Sequence, residues 1–204
     1  MSLFTVRPLS IQPALRLLLC LILPAMAACS STAEPPPLPE LTYNALPPLR
    51  LDVAQIQIVQ SYQPPQKAPN VDHLFPQPPA KVAARWAQDR LQAAGQGGQA
   101  VFTILDASAI DVPLPRSQGL SSLTTVDQTD RYDLTISVRL QVTSADGLRN
   151  GQVQASASRS QSISEKTTPD ERTVVWYQIT QQAMNELNVK LENEIRSHLA
   201  GFLQ

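Results

Sequence analysis

The chain has 204 residues, 43% of them apolar and only 5% aromatic, with a formal net charge of −1. This is enough apolar material for one folded domain plus extras, and the lack of any Lys/Arg cluster excludes the electrostatic footprint of a nucleic-acid binder. Proline outnumbers glycine 18 to 7, and the prolines concentrate before residue 80.

Arg7 and Arg16 form a positive n-region ahead of the apolar run Leu17–Leu23. A membrane-spanning helix needs about 20 apolar residues, so this run suits the core of a signal peptide better than an uncleaved anchor. Two cleavage patterns overlap after it. Ala25-Met26-Ala27 fits the small-x-small pattern of an ordinary signal peptide. Met26-Ala27-Ala28-Cys29 resembles the lipobox of bacterial lipoproteins, with Met26 where that family prefers Leu. The resemblance implies diacylation of the Cys29 thiol, cleavage before it, and acylation of the new N-terminus. Cysteine usage agrees. Of the two cysteines, Cys20 would be discarded with the signal peptide, leaving Cys29 in an oxidising compartment without a disulfide partner. Lipidation removes that orphan thiol, and several acyl chains give the stable anchoring that one chain does not. Ser30 stands where, by resemblance to enterobacterial lipoproteins, an Asp would mark inner-membrane retention. An outer-membrane anchor facing the periplasm is therefore expected, with a soluble periplasmic protein as the alternative.

The expected organisation is a signal peptide over 1–28, a lipidated Cys and proline-rich tether over 29–48, and one periplasmic domain over 49–204. Losing Arg7 and Arg16 leaves 14 basic against 17 acidic residues, a net of −3. Ser30 to Pro48 holds six prolines in 19 residues, an extended or disordered spacer that reaches up to about 60 Å at roughly 3.1 Å per residue. "LRLDVAQIQIVQSY" then alternates at Leu49, Leu51 and Val53 and changes phase to Ile56 and Ile58. The slip predicts one strand with a bulge near Ala54-Gln55. A proline-rich loop follows, which no helix could cross. "PPAKVAARWAQDRLQAAG" predicts a helix with Pro79 in the first turn and Gly95 just past the end. Val82, Ala83, Trp86, Ala87, Leu91 and Ala94 lie along its buried side.

"QAVFTILDASAIDVPL" is apolar on both faces at Val101, Phe102, Ile104 and Leu105, as a central strand would be. From Asp106 to Asp130 the pattern weakens, and two readings stand for these residues. Either the strand continues to Leu114 and the rest packs as a cover, or a long loop binds something. The loop's apolar residues are Ile110, Val112, Leu114, Leu120, Leu123 and Val126, the expected partner-binding set. "DRYDLTISVRLQVTS" alternates without a break from Tyr132 to Val142, and "QVQASASRSQSIS" does so at Val153, Ala155, Ala157 and Ile163. Asp146-Gly147 and Asn150-Gly151 between them favour hairpin turns, so this pair is an antiparallel hairpin.

The last helix opens with Thr168 as N-cap, Pro169 at N1 and Glu171 at N3, a capping box. Trp176, Ile179, Ala183, Leu187, Leu191, Ile195, Leu199 and Phe202 form its apolar side. Glu186–Lys190 and Glu192–Arg196 are i,i+4 pairs worth a few tenths of a kcal/mol each. Pro169 to Phe202 measures about 50 Å against about 20 Å for a six-residue strand, which predicts an overhang. The expected fold is α+β: a two-layer sandwich with a mostly antiparallel four-stranded sheet and two helices on one face, in the order β-α-β-β-β-α.

Catalytic and metal constellations find little support. His73 lies in a proline loop and His198 near a helix end, without spaced Cys or His partners. Without a suitable His, Ser-His-Asp and Cys-His chemistry lack a base, and the serines from Ser156 to Ser164 read as a solvated strand face. Gly95-Gln96-Gly97-Gly98 follows a helix instead of opening one and has no Lys-Ser/Thr after it, which reads as a helix C-cap and not a phosphate loop. Asp127, Asp130 and Asp133 lack the spacing and bidentate Glu of a calcium loop. No catalytic residue, metal ligand or cofactor is therefore expected.

The lipobox and the element order resemble small envelope lipoproteins of Gram-negative bacteria. Among them are the lipoprotein that partners the lipopolysaccharide-assembly barrel and the auxiliary lipoproteins of lipid-transport ABC systems. "RWAQDRLQAAG" and "VWYQIT" are similar to segments of uncharacterised proteobacterial lipoproteins. The resemblance covers architecture over the mature chain and transfers no functional residue. A tether, an anchor and an apolar loop without catalytic groups lead to the expectation of a non-catalytic adaptor of an envelope assembly or transport complex, held by lipidated Cys29 and meeting an envelope protein through the loop from Ile110 to Val126 and the overhanging helix end. The alternative is a carrier of lipid or another small apolar ligand, with a cavity between the helices and the sheet. A hydrolase stands third.

Overall fold

The hairpin organises the fold. Alternating apolar residues make two long strands, β5 (Gln128–Thr143) and β6 (Asn150–Ser164), which pair antiparallel from Thr143–Asn150 to Gln128–Ser164. The computed structural model describes residues 37–115 and 128–204. In chain order before the hairpin come β1 (Leu49–Leu51), β2 (Gln55–Gln60), a 3-10 turn at Asp72–Leu74, α1 (Pro79–Arg90), β3 (Leu91–Ala93) and β4 (Gln99–Pro113). After it come α2 (Pro169–His198) and a 3-10 turn at Ala200–Phe202. The main sheet runs β2-β4-β5-β6. β2 lies parallel to β4, and the other neighbours are antiparallel. Within it the elements follow the expected β-α-β-β-β-α order, and the class is α+β.

Both helices lie on one face of the sheet. Trp86 of α1 stacks on Phe102 of β4, with ring centroids 5.7 Å apart, and Trp176 of α2 meets Tyr132 of β5 edge-on at 5.5 Å. Phe102, Ile104, Ile136, Val138 and Leu140 on the sheet, and Ala183, Met184, Leu187 and Leu191 on α2, are buried between the layers. The opposite sheet face is Ser-, Thr- and Gln-rich along β5 and β6, half-buried along β5 and mostly exposed along β6, and no described element covers it.

Four expectations need correction. The first strand does not bulge at Ala54-Gln55 but breaks after Leu51 into β1 and β2, which join different sheets. The first helix ends at Arg90, short of Ala94. Leu91 turns to an extended conformation (φ −97°, ψ 126°), and Leu91–Ala93 pairs in parallel with Leu49–Leu51. Strand pairing has overridden helix propensity there, so Gly95 sits in the β3–β4 connection and is not a helix cap. Asn150-Gly151 belongs to β6, leaving the turn to residues 144–149 with Gly147 at φ +71°. Finally, α2 does not overhang: its 30 residues span about 45 Å, while the 16 residues of β5 span about 53 Å at 3.3 Å each. The strands are far longer than the usual five or six residues.

The packed unit begins at Leu38, upstream of the boundary expected at Leu49. Leu41 and Tyr43 are buried. The Leu41 N–H donates to Gln77 Oε1 at 2.8 Å and the Tyr43 N–H to Asp89 Oδ2 at 2.7 Å. Arg85 pairs with Glu40 and donates to the Leu41 carbonyl. The segment from Leu38 to Pro48 is thus laid along α1 instead of serving as a spacer.

Candidate functional site

The end of the sandwich where β4 stops and β5 starts departs from the plain apolar-in, polar-out rule. A register shift between Ile104 and Asp106 leaves Leu105 as an extra residue in β4. A bulge of this kind reverses which side chains face the core. Ahead of it Ala100, Phe102 and Ile104 are buried, and beyond it Ala107 and Ala109 are. Two residues further on, the same inward row carries Asp111, opposite Tyr132 in the β4–β5 register. The outward row carries Ile110 and Val112, opposite Asp133 and Arg131. Phase reversal has turned a carboxylate in and β-branched apolar residues out.

Asp111 therefore meets a mixed aromatic and polar cluster under the first turns of α2. Tyr132 is fully buried. Trp176 lies edge-on to it, and its other neighbour is Phe75, stacked with centroids 5.2 Å apart and planes 11° apart. The segment at 69–71 straps this end: the Asp111 N–H donates to the Pro69 carbonyl at 2.9 Å and the Val71 N–H to the Ala109 carbonyl at 2.8 Å. Four side-chain atoms of the cluster are buried with no partner among the described residues: Asp111 Oδ1, Tyr132 Oη, Arg172 Nε and Trp176 Nε1. Native interiors hold few such atoms.

The electrostatics follow from this burial. Desolvation pushes the Asp111 carboxyl above its ordinary value, the nearby Asp130 charge adds to the rise, and Arg172 opposes it. The Tyr132 phenol is pushed up to about 12, first by burial and then by Asp111. Tyr132 therefore stays protonated at neutral pH and can donate or accept. Together the cluster offers two N–H donors, one hydroxyl and one carboxylate oxygen. That set suits polar recognition. It contains no serine, cysteine or histidine nucleophile–base pair, and no group of three His, Cys, Asp or Glu among the described residues could hold a metal ion.

The expected partner-binding residues divide. Ile110, 37% exposed, and Val112 lie on β4, so the strand reading holds for them and the loop reading does not. Leu114 follows the strand, and its N–H still donates to the Thr129 carbonyl at 2.8 Å. Beside Ile110 and Val112 on the open face, Arg131 Nε and Nη2 grip Asp133 at 2.9 and 2.8 Å. Leu120, Leu123 and Val126, like Cys29, lie outside the described residues. Asp111, Arg172 and Trp176 escaped sequence reasoning as a site. The available signal was the spacing Ala107-x-Ala109-x-Asp111, which continues an inward row into a carboxylate.

No family model matches the chain, and no curated protein does either. Among solved structures, a minor lipoprotein from Acinetobacter baumannii is similar with a TM-score of 0.37 and 12% identity, over 72% of this chain and 93% of that one. The rare lipoprotein B from Shewanella oneidensis gives a TM-score of 0.35 and 13% identity, over 70% and 97%. Likeness at this level leaves the chain's own residues to carry the functional argument.

Proposed function

We propose that the protein is a lipid-anchored, non-catalytic accessory component of a cell-envelope assembly or transport complex, fastened to the outer membrane through Cys29 and facing the periplasm. The observation that carries this reading is the lipobox-like Met26-Ala27-Ala28-Cys29 followed so soon by folded chain at Leu38. Residues 29–37 separate Cys29 from the packed unit in the sequence, so on this reading the domain stays within about 28 Å of the anchor, the contour length of nine residues at 3.1 Å each.

The docking surface for an envelope protein partner is assigned to the bulged end of the sheet. Ile110 and Val112 supply it from β4 and Leu114 from just beyond the strand's end; Leu120, Leu123 and Val126 complete the proposed set by their place in the sequence. A carrier of apolar ligands would need a cavity between the layers. Among the described residues that space is occupied by Phe102, Ile104, Ile136, Leu140, Met184 and Leu187, each at most 1% exposed.

Two measurements test the proposal. Globomycin should block processing of the precursor, and metabolic palmitate should label the wild type but not Cys29→Ser. Processing that ignores globomycin removes the anchor. Pull-down from solubilised envelopes should lose its partner in the Leu120→Asp/Leu123→Asp variant; unchanged recovery rejects that surface.

A further inference from the structure

β6 ends the main sheet, and no described strand pairs with its outer edge. Edge strands are usually blunted by shortness, proline, lysine or a bulge. The other edge strand of this sheet, β2, is short, with six residues. β6 has 15, contains neither proline nor lysine, carries a single charged residue, Arg159, which is paired with Glu186 of α2, and pairs with β5 without a break from Arg131–Ser162 to Thr143–Asn150. Its outer edge also has a recognisable polarity. The carbonyls of Ser156, Ser158 and Ser162 accept hydrogen bonds from the side chains of Lys190, Arg159 and Gln161. All three are even-numbered, as required if even residues turn their main-chain N–H and C=O groups away from β5.

Alongside this edge, α2 presents charges. A groove is lined by Gln154, Ala155, Ser156, Lys190, Asn193 and Glu194. Lys190 lies level with Ser156, to whose carbonyl its Nζ donates at 3.1 Å, and Glu194 lies one turn further along the helix. Lys190 and Glu194 are 49% and 44% exposed.

We infer that this edge is closed by a second copy of the chain, β6 pairing antiparallel with β6 about a two-fold axis through Ala155. The charges select this register. Centring on Ser156 would set Lys190 against Lys190, and centring on Gln154 would set Glu194 against Glu194. Centring on Ala155 pairs Ser156 with Gln154 of the second copy and brings Lys190 of each copy level with Glu194 of the other. The two-fold repeats that pair, as an isologous interface demands. A main-chain N–H of the second copy replaces Lys190 on the Ser156 carbonyl, and the ammonium, which also pairs with Glu186 at 2.6 Å, is then shared between that carboxylate and the facing one. Ala155 meets its own copy as a non-hydrogen-bonded pair, and the two sheets join into one of eight strands.

Cysteine cross-linking of the full-length chain in its membrane tests this. Non-hydrogen-bonded partners stand about 4.5 Å apart at Cα, within disulfide range. Ala155→Cys should give a reducible dimer after mild oxidation. Ala157→Cys should not, because its copies lie four residues out of step, about 13 Å along the strand. In the Ala155→Cys background, Lys190→Glu should deplete the dimer band and Lys190→Glu/Glu194→Lys should restore it. A monomeric Ala155→Cys chain, a dimer formed equally by Ala157→Cys, or a charge swap that fails to restore the band overturns the inference. An Ala155→Cys adduct of another mass does so too, since it places a different polypeptide on the edge.

Discussion

Arg90 provides the sharpest energetic test of the packing. It is 1% exposed at the end of α1, where Nη1 donates to the Pro47 carbonyl and Nη2 to Glu192 of α2. Glu192 is 27% exposed and also accepts Arg196 Nε and Nη2 at 2.9 and 2.7 Å. The two halves of the pair are therefore unequal. Glu192→Ala strands a guanidinium that cannot deprotonate, and breaking a buried pair in that way costs about 3–5 kcal/mol. Arg90→Met keeps much of the stem volume and leaves Glu192 in contact with Arg196 and water. Its main loss is the partner of one buried carbonyl, about 1–3 kcal/mol. For a domain of this size each kcal/mol moves Tm by about 2–4 °C, so Glu192→Ala should melt about 6–20 °C below wild type. The double variant should be more stable than Glu192→Ala alone, because the stranded charge has gone. Urea titrations with an unchanged m-value give these differences directly. If Glu192→Ala costs less than Arg90→Met, water reaches the guanidinium and the burial argument fails.

The Asp111 carboxyl binds its proton more tightly in the folded chain than its ordinary value of 3.8 implies. The ionised form is thus penalised by folding: stability falls as pH rises through the raised pKa and stays lower above it. Asp111→Asn should melt above wild type at pH 7, and the gain should vanish below about pH 3.8; a gain independent of pH contradicts the electrostatic cause. Gly98 has φ +78°, and a Cβ there would stand 2.4 Å from the Thr143 carbonyl oxygen, whereas at Gly147, φ +71°, it would meet nothing within 4 Å. Gly147→Ala should cost only the left-handed penalty of about 1–2 kcal/mol, and Gly98→Ala distinctly more. Equal losses on thermal melting would falsify the clash.

What the sequence made legible follows from how local each signal is. The capping box at Thr168–Glu171 forms as read, with the Glu171 N–H donating to Thr168 Oγ1 at 3.3 Å and the Thr168 N–H to Glu171 Oε2 at 2.8 Å. Period-two alternation located both hairpin strands. Apart from the hairpin turn, where Asn150 pairs with nearby Thr143, the misread elements involve partners distant in sequence. Nothing local in Leu91–Ala93 announces that Leu49–Leu51 will capture it as a strand. Nor does local composition distinguish a proline-rich spacer from one whose Leu41 and Tyr43 find buried seats against α1. Strand length misled for the same reason: average lengths ignore that β4, β5 and β6 support one another over 15 or 16 residues, and the overhang inferred for α2 disappeared with that assumption.

The candidate site was hardest to read because one residue decides it. If alternation ran straight through from Phe102 and Ile104, Asp111 would face water and Ile110 and Val112 would join the core. Leu105 reverses both outcomes. The reversal desolvates a carboxylate and gives up apolar burial at Ile110, each a loss for folding alone. Pairing Leu105 into the ladder, with no bulge, would recover both at once. Sequences that break a local rule in this costly way tend to do so where they have a function, and bulges themselves favour sites where a side chain must be re-aimed. Tyr132, Trp176 and Arg172 sharpen the point, since each carries a buried polar atom unpaired among the described residues at that same end. A sheet selected only to fold would have closed this end with apolar side chains, as it did at Phe102, Leu140 and Val153. Polar groups that point inward, and the apolar Ile110 and Val112 that interrupt the Ser- and Gln-rich outer face, are what mark this end as the candidate recognition site.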